Sequence, residues 1–249
     1  MITRKEPTYC KNCQSNLIAN YCSKCGQRAS VHKVTFKETL QDFIDVVFSV
    51  NSPLLLTLKL LVVNPGKLFR EYLNGKRKTY YKPVPFFILV TLIFVLVKSL
   101  LNYDPMQNMV EAGGIGVSQN LITNAGVFMA KNVNNIIFTF VFTFAVAVKL
   151  LFFKRYTFAE YIAISFYVIG FYIVITTVLM FGLQYVGAQY RMVPFIVMLF
   201  YMIYALLSFF QRISFLNIIK IIFIYFISVI FYMIIGYGLS FLIVWLKTS

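Results

Sequence analysis

Five apolar runs of about 20 residues each occupy most of the chain beyond residue 83 and leave it few ways to fold. Inside a bilayer no water reaches a bare amide or carbonyl. A run of this length is therefore stable there only as a helix that satisfies its own backbone hydrogen bonds. The runs cover approximately 83-101, 133-153, 158-181, 192-210 and 218-245. Apolar residues make up 60% of the chain and charged residues 12%, a balance that excludes an ordinary soluble domain. The expected fold class is an all-α polytopic membrane protein. About five transmembrane helices follow a small N-terminal head and interfacial amphipathic helices.

The most specific chemistry lies ahead of these runs. All four cysteines of the chain fall in one short stretch, as Cys10-x2-Cys13 and Cys22-x2-Cys25. A Cys-x2-Cys knuckle aims two thiolates at one centre, and two knuckles supply the tetrahedral S4 set of a closed structural Zn2+ site. Gly26, just after the second pair, suits the tight turn of such a knuckle. Two disulfides, an iron centre on the same four ligands, or a redox-active thiol pair would use the same residues. Disulfides need an oxidising compartment, and residues 1-35 contain no apolar run of the length a signal peptide needs. One structural Zn2+ per chain is the preferred reading. Four closed ligands leave no position for water, so catalytic zinc is not expected. His32 is read as a solvated loop residue.

Three regions follow from this: 1-35 as the zinc ribbon, 36-82 as an amphipathic and juxtamembrane basic segment, and 83-249 as the transmembrane bundle. Thr35 and Glu38 form a capping-box pattern ahead of Phe36, Leu40, Phe43, Ile44, Val47 and Phe48, spaced as on one helical face. Asn51-Ser52-Pro53 breaks that helix. Leu54 to Val63 is apolar but too short to span, and belongs on the membrane surface or against the bundle. A short helix around Leu68, Phe69, Tyr72 and Leu73 ends at Asn74-Gly75. The cluster Lys76-Arg77-Lys78 with two tyrosines then stands directly before the first spanning run. Lys76, Arg77 and Lys78 are candidate ligands for anionic lipid headgroups or phosphate, or serve as a topology signal alone.

The formal charge of +15 suggests nucleic acid at first sight. Fourteen of the 23 Lys and Arg precede residue 84, however, beside the spanning runs. Cytoplasmic flanks of membrane helices have this character, so no nucleic-acid partner is expected. Counting loop charges puts the N-terminus, the 149-155 loop and the 211-220 turn on the cytoplasmic side of an inner membrane. Five spans then place the C-terminus on the opposite side. The Gly-rich linker 102-132 faces outward. Glu160 is the one acidic residue near a span core, a candidate intramembrane polar site or an interfacial partner for Lys154 and Arg155. Ser208 and the tyrosines of the later runs, Tyr201 and Tyr204 among them, can cross-link helices. No HExxH, GxSxG or phosphate-loop motif is present, which weakens any enzymatic reading.

The order Cys-x2-Cys, Cys-x2-Cys-Gly-Gln, then Pro65, Tyr72, Gly75-Lys76-Arg77, Tyr80, Pro83 and several apolar helices resembles an uncharacterised bacterial family of membrane proteins with an N-terminal zinc ribbon. Arg155-Tyr156-Thr157-Phe158-Ala159-Glu160-Tyr161 is similar to that family's pattern at the entry to a later helix, and Tyr204-Ala205-Leu206 with Phe209-Phe210 and Lys220 to its penultimate loop. Where some relatives carry His near that entry, this chain has Tyr161 and Tyr167, which puts a metal or proton role for the helix in doubt. The resemblance implies the architecture and no established activity. The expected function is an integral membrane interaction, regulatory or scaffold protein. It would contact the lipid bilayer, and a cytosolic or membrane protein partner through the ribbon. A transporter or lipid-handling protein is the alternative.

Overall fold

The computed structural model describes residues 9, 10, 12–16, 18, 20–25, 53–102, 121–185, 190, 192–211 and 214–248. The chain divides into two compact units, Met1–Ser49 and Val50–Ser249. In the first, the described residues form turns and isolated bridge positions, among them the antiparallel pair Tyr9 to Asn16, and no strand. The helix expected over 36-48, Gly26 and His32 lie outside the described residues.

The second unit is helical. Proline marks the start of its early helices. Pro53 opens α1 (Pro53–Val63), where a missing amide costs nothing. Asn64 precedes Pro65 and is held extended at φ −157°, which stops α1. The same Asn64 caps α2 (Pro65–Leu73) by accepting the Lys67 amide at 3.0 Å. Asn74 and Gly75, at φ +103°, end α2. Pro83 starts α3 (Pro83–Leu101), which closes on Asn102 in the left-handed region.

The five expected spanning runs are all helical, with shifted ends. After α3 come α5 (Val133–Leu151), α6 (Phe158–Leu183), α7 (Val193–Phe210) and α8 (Phe215–Thr248). Four of them, α3, α6, α7 and α8, are long and apolar enough to cross a membrane. The described apolar part of α5, Ile137–Leu151, counts as a shorter helix, so the expected five spans stand as four plus this one. The linker expected to run to residue 132 contains a further helix, α4 (Leu121–Lys131), joined to α5 through Asn132. Its apolar residues Ala125, Val127 and Met129 are buried, and it packs on α8, where Tyr237 donates to the Ile122 carbonyl at 2.9 Å. Residues 121–131 of the expected polar linker are mostly apolar, and they form a helix that packs on α8.

α6 is the central helix. Of its most apolar window 56% is buried, against 17% for α3 and 22% for α8, which face outward. It packs against α3, α5, α7 and α1. Gly170 lets α3 approach: a Cβ there would stand 2.9 Å from the Phe86 ring. α8, with 34 residues, is about 50 Å long and outruns a hydrocarbon core of about 30 Å.

Candidate functional site

Among the described residues, polar chemistry gathers in two places, one in each unit. In the first unit the four cysteine sulfurs converge, all within 4.8 Å of one another. Cys10 and Cys25 Sγ are 3.5 Å apart, as are Cys13 and Cys22 Sγ. The thiols are free. A tetrahedron with metal–sulfur bonds of ~2.3 Å has edges of about 3.8 Å, so this donor set fits a tetrahedral thiolate ion such as Zn2+. The loop that builds it is local. The Cys10 amide donates to the Ser15 carbonyl at 2.8 Å, the Gln14 amide to the Cys10 carbonyl at 2.9 Å, and Gln14 turns the chain at φ +60°. The Ser15 hydroxyl sits 3.0 Å from both Cys13 and Cys22 Sγ. That contact, then backbone donors, holds the Cys22 thiol down at about 6 and pulls Cys13 down also, against burial. Thiols poised to ionise are what a metal needs.

In the second unit the polar groups sit where α1 and α2 meet the end of α7. The last carbonyls of α1 have no partner within their own helix. Tyr201 donates to Leu61 at 3.3 Å, and Tyr204 to Val62 at 2.9 Å and Val63 at 2.7 Å. One turn on, the Gly66 amide donates to Ser208 Oγ at 3.0 Å, and that hydroxyl reaches Asn64 Oδ1 at 3.1 Å. The backbones touch: a Cβ on Gly66 would fall 2.0 Å from the Ser208 carbonyl oxygen. Arg70 Nη1 donates to the carbonyls of Ser208 at 2.5 Å and Phe209 at 2.9 Å. Arg155 lies over the Phe210 ring at 5.3 Å. Two guanidinium groups thus stand at the negative end of α7, where a helix favours cations. At the other edge, Thr57 accepts the Tyr81 amide at 3.0 Å, and Tyr167 donates to the Tyr81 carbonyl at 2.5 Å. Phe69, Tyr72 and Phe86 pack around the Tyr167 ring.

The sequence-predicted residues distribute unevenly over this frame. Lys76, Arg77 and Lys78 are exposed on the turn between α2 and α3. Lys76 pairs with Glu71 at 3.0 Å, while Arg77 and Lys78 form no ion pair among the described residues. Buried Tyr80 also donates to Glu71, at 2.5 Å. The Tyr80 hydroxyl, and next the Lys76 ammonium, hold the Glu71 carboxyl below its usual range. Burial first, then Glu71, pushes the Tyr80 phenol up to about 12. Glu160 forms a capping box with Thr157: its carboxylate accepts the Thr157 amide at 2.7 Å, and Thr157 Oγ1 accepts the Glu160 amide at 3.3 Å. It makes no ion pair with Lys154 or Arg155 among the described residues. Lys149 instead donates to the carbonyls of Phe153 and Tyr156, at 2.7 and 2.8 Å.

Asn64, Gly66, Arg70 and Glu71 carry most of these contacts, and sequence reasoning missed them. One signal was present: Arg70-Glu71 is a charged pair set among Leu68, Phe69, Tyr72 and Leu73 in a short helix directly before the basic cluster.

A family described as protein of unknown function (DUF3667) matches residues 52–95. That stretch covers α1, α2, the basic turn and the start of α3, the part of the chain that docks against α6 and α7. No curated protein and no solved structure matches the chain. Over its α1–α3 hub the chain is similar to a family whose activity is not known; it is a helical membrane protein with a four-cysteine cluster at its N-terminal end.

Proposed function

We propose that this chain is a membrane-anchored interaction or regulatory protein. Its N-terminal head binds one structural Zn2+ through Cys10, Cys13, Cys22 and Cys25 and presents a rigid surface to a protein partner. The convergence of the four sulfurs within 4.8 Å carries the reading. A head this small buries too little apolar surface to fold alone, so metal binding would supply its stability. The helical unit would hold it at the inner membrane with the N-terminus in the cytoplasm. There the reducing environment keeps thiols available for metal. Exposed Arg77 and Lys78 support contact with anionic headgroups on that side. The C-terminus would lie on the opposite side.

Metal analysis of the full chain purified in mild detergent tests the reading, together with identification of proteins that co-purify. One Zn2+ per chain and a partner retained by the wild type but lost from Cys10→Ser/Cys13→Ser would support it. Absence of metal, or a partner indifferent to the double substitution, would refute it. A lipid-handling role has one observation in its favour, an apolar groove between α1 and α6.

A further inference from the structure

The groove has a volume of about 450 Å3, within the range of about 300–1,000 Å3 that small-ligand sites occupy. Leu58 and Val62 of α1 form one wall, and Phe171, Ile175 and Val178 of α6 the other. Lys59 is the one charged residue that lines it. A water-soluble polar ligand would find almost nothing to bond to there. An alkyl chain would find two apolar walls.

Register along α6 shows how deep these walls run. Tyr167 binds the Tyr81 carbonyl, which sets the entry of α3 against that level of α6. Exposed Lys76, Arg77, Lys78 and Lys82 lie just before that entry, so it marks the headgroup layer. Phe171 to Val178 then extend about 6 to 17 Å further along the helix, into hydrocarbon. Lys59 lies two residues beyond Thr57, which is bonded to the Tyr81 amide at the entry level. A cation at headgroup depth thus opens onto an apolar channel one helix-face wide. Lys59 is exposed and makes no ion pair among the described residues, while its helix also exposes Leu55, Leu56, Val62 and Val63. The groove is rigidly framed: Tyr201 and Tyr204 clamp the end of α1, and Thr57 its middle.

We propose that this groove binds one anionic phospholipid, with an acyl chain between α1 and α6 and the phosphate on Lys59. Charge complementarity at the mouth selects anionic over zwitterionic lipid. This site is separate from the headgroup contact proposed for Arg77 and Lys78.

The test reconstitutes the full chain in nanodiscs of equal phosphatidylglycerol and phosphatidylcholine and reads retained lipid by native mass spectrometry. The wild type should keep one phosphatidylglycerol at about a fivefold preference, the scale one lysine contributes near a charged surface. Lys59→Gln should abolish the preference. Val178→Trp should block the chain and remove both lipids. Leu96→Trp, on the outward face of α3, should change nothing. Equal retention of both lipids by the wild type would overturn the proposal, as would retention unchanged in Lys59→Gln. Retention lost only in Arg77→Gln/Lys78→Gln would overturn it in favour of the basic turn. Lys59 and Val178 are both exposed, so the substitutions leave the fold intact. A thermal unfolding midpoint on each variant checks this, and Lys59→Gln decides the question if Val178→Trp is destabilised.

Discussion

Replacing Gly66 by alanine tests how tightly the α1–α2 hairpin is locked to α7. The added Cβ would lie 2.0 Å from the Ser208 carbonyl oxygen, 2.1 Å from its carbon and 2.5 Å from the Phe209 nitrogen. All three are backbone atoms, so no side chain can swing aside. Ordinary contact begins at 3.4 Å, and α2 must retreat from α7 by about 1.4 Å to reach it. Overpacking alone costs about 1–3 kcal/mol. The same retreat breaks the Gly66 amide bond to Ser208 and pulls Arg70 off two carbonyls. Charged hydrogen bonds of that kind contribute about 2 kcal/mol. The total is about 3–5 kcal/mol, a large fraction of a typical stability of about 5–15 kcal/mol. The unfolding midpoint in detergent should fall by about 10 °C. Gly182→Ala is the control, because a Cβ at Gly182 meets nothing within 4 Å. It should be neutral or stabilising by up to about 1 kcal/mol, as alanine is the better helix former. A Gly66→Ala protein as stable as Gly182→Ala would refute the reasoning.

Other perturbations probe the remaining contacts. Arg70→Ala should cost about 2 kcal/mol by stripping the end of α7, and Arg70→Lys should recover only part of it, measured by the same unfolding assay. Tyr204→Phe should cost about 1 kcal/mol, since it leaves the Val62 and Val63 carbonyls without that donor. Glu71 has its carboxyl held down in the folded state, so its stabilising effect is present above the usual carboxylate range and is lost as pH falls through the folded value. The difference in unfolding midpoint between wild type and Glu71→Gln should therefore be full at neutral pH and vanish in acid. A gap independent of pH would show that the Tyr80–Glu71 pair does not titrate as described. Chelation or acidification should release one Zn2+ per chain from the wild type, and Cys22→Ser should carry none, read by elemental analysis.

The features legible in the sequence are those that depend on near neighbours or on the solvent. Apolar runs of this length have one stable backbone in a bilayer, so α3, α6, α7 and α8 were visible without any packing information. Pro53 and Pro83 act on the residues beside them and bound α1 and α3, whereas Pro65-Gly66 reads locally as a turn and the structure starts α2 at Pro65. Cysteine spacing within one loop brought four sulfurs to one point. Glu160 was legible as a carboxylate in the first turn of α6, but among the described residues it forms a capping box with Thr157 in place of the ion pair expected with Lys154 or Arg155. Other features turned on what stands opposite. Gly66 carries no hint that Ser208 lies 142 residues away in sequence and in backbone contact. The helix α4 is a short apolar run at the end of a polar, Gly-rich linker, too short to span, and it packs against α8. Tyr201 and Tyr204 were visible as polar groups in a span, but their partners were decided only when the open end of α1 met α7. A helix end in a dry setting takes whichever donor the tertiary structure brings within reach. Local chemistry therefore set the elements of this protein, and long-range packing chose the partners that join them.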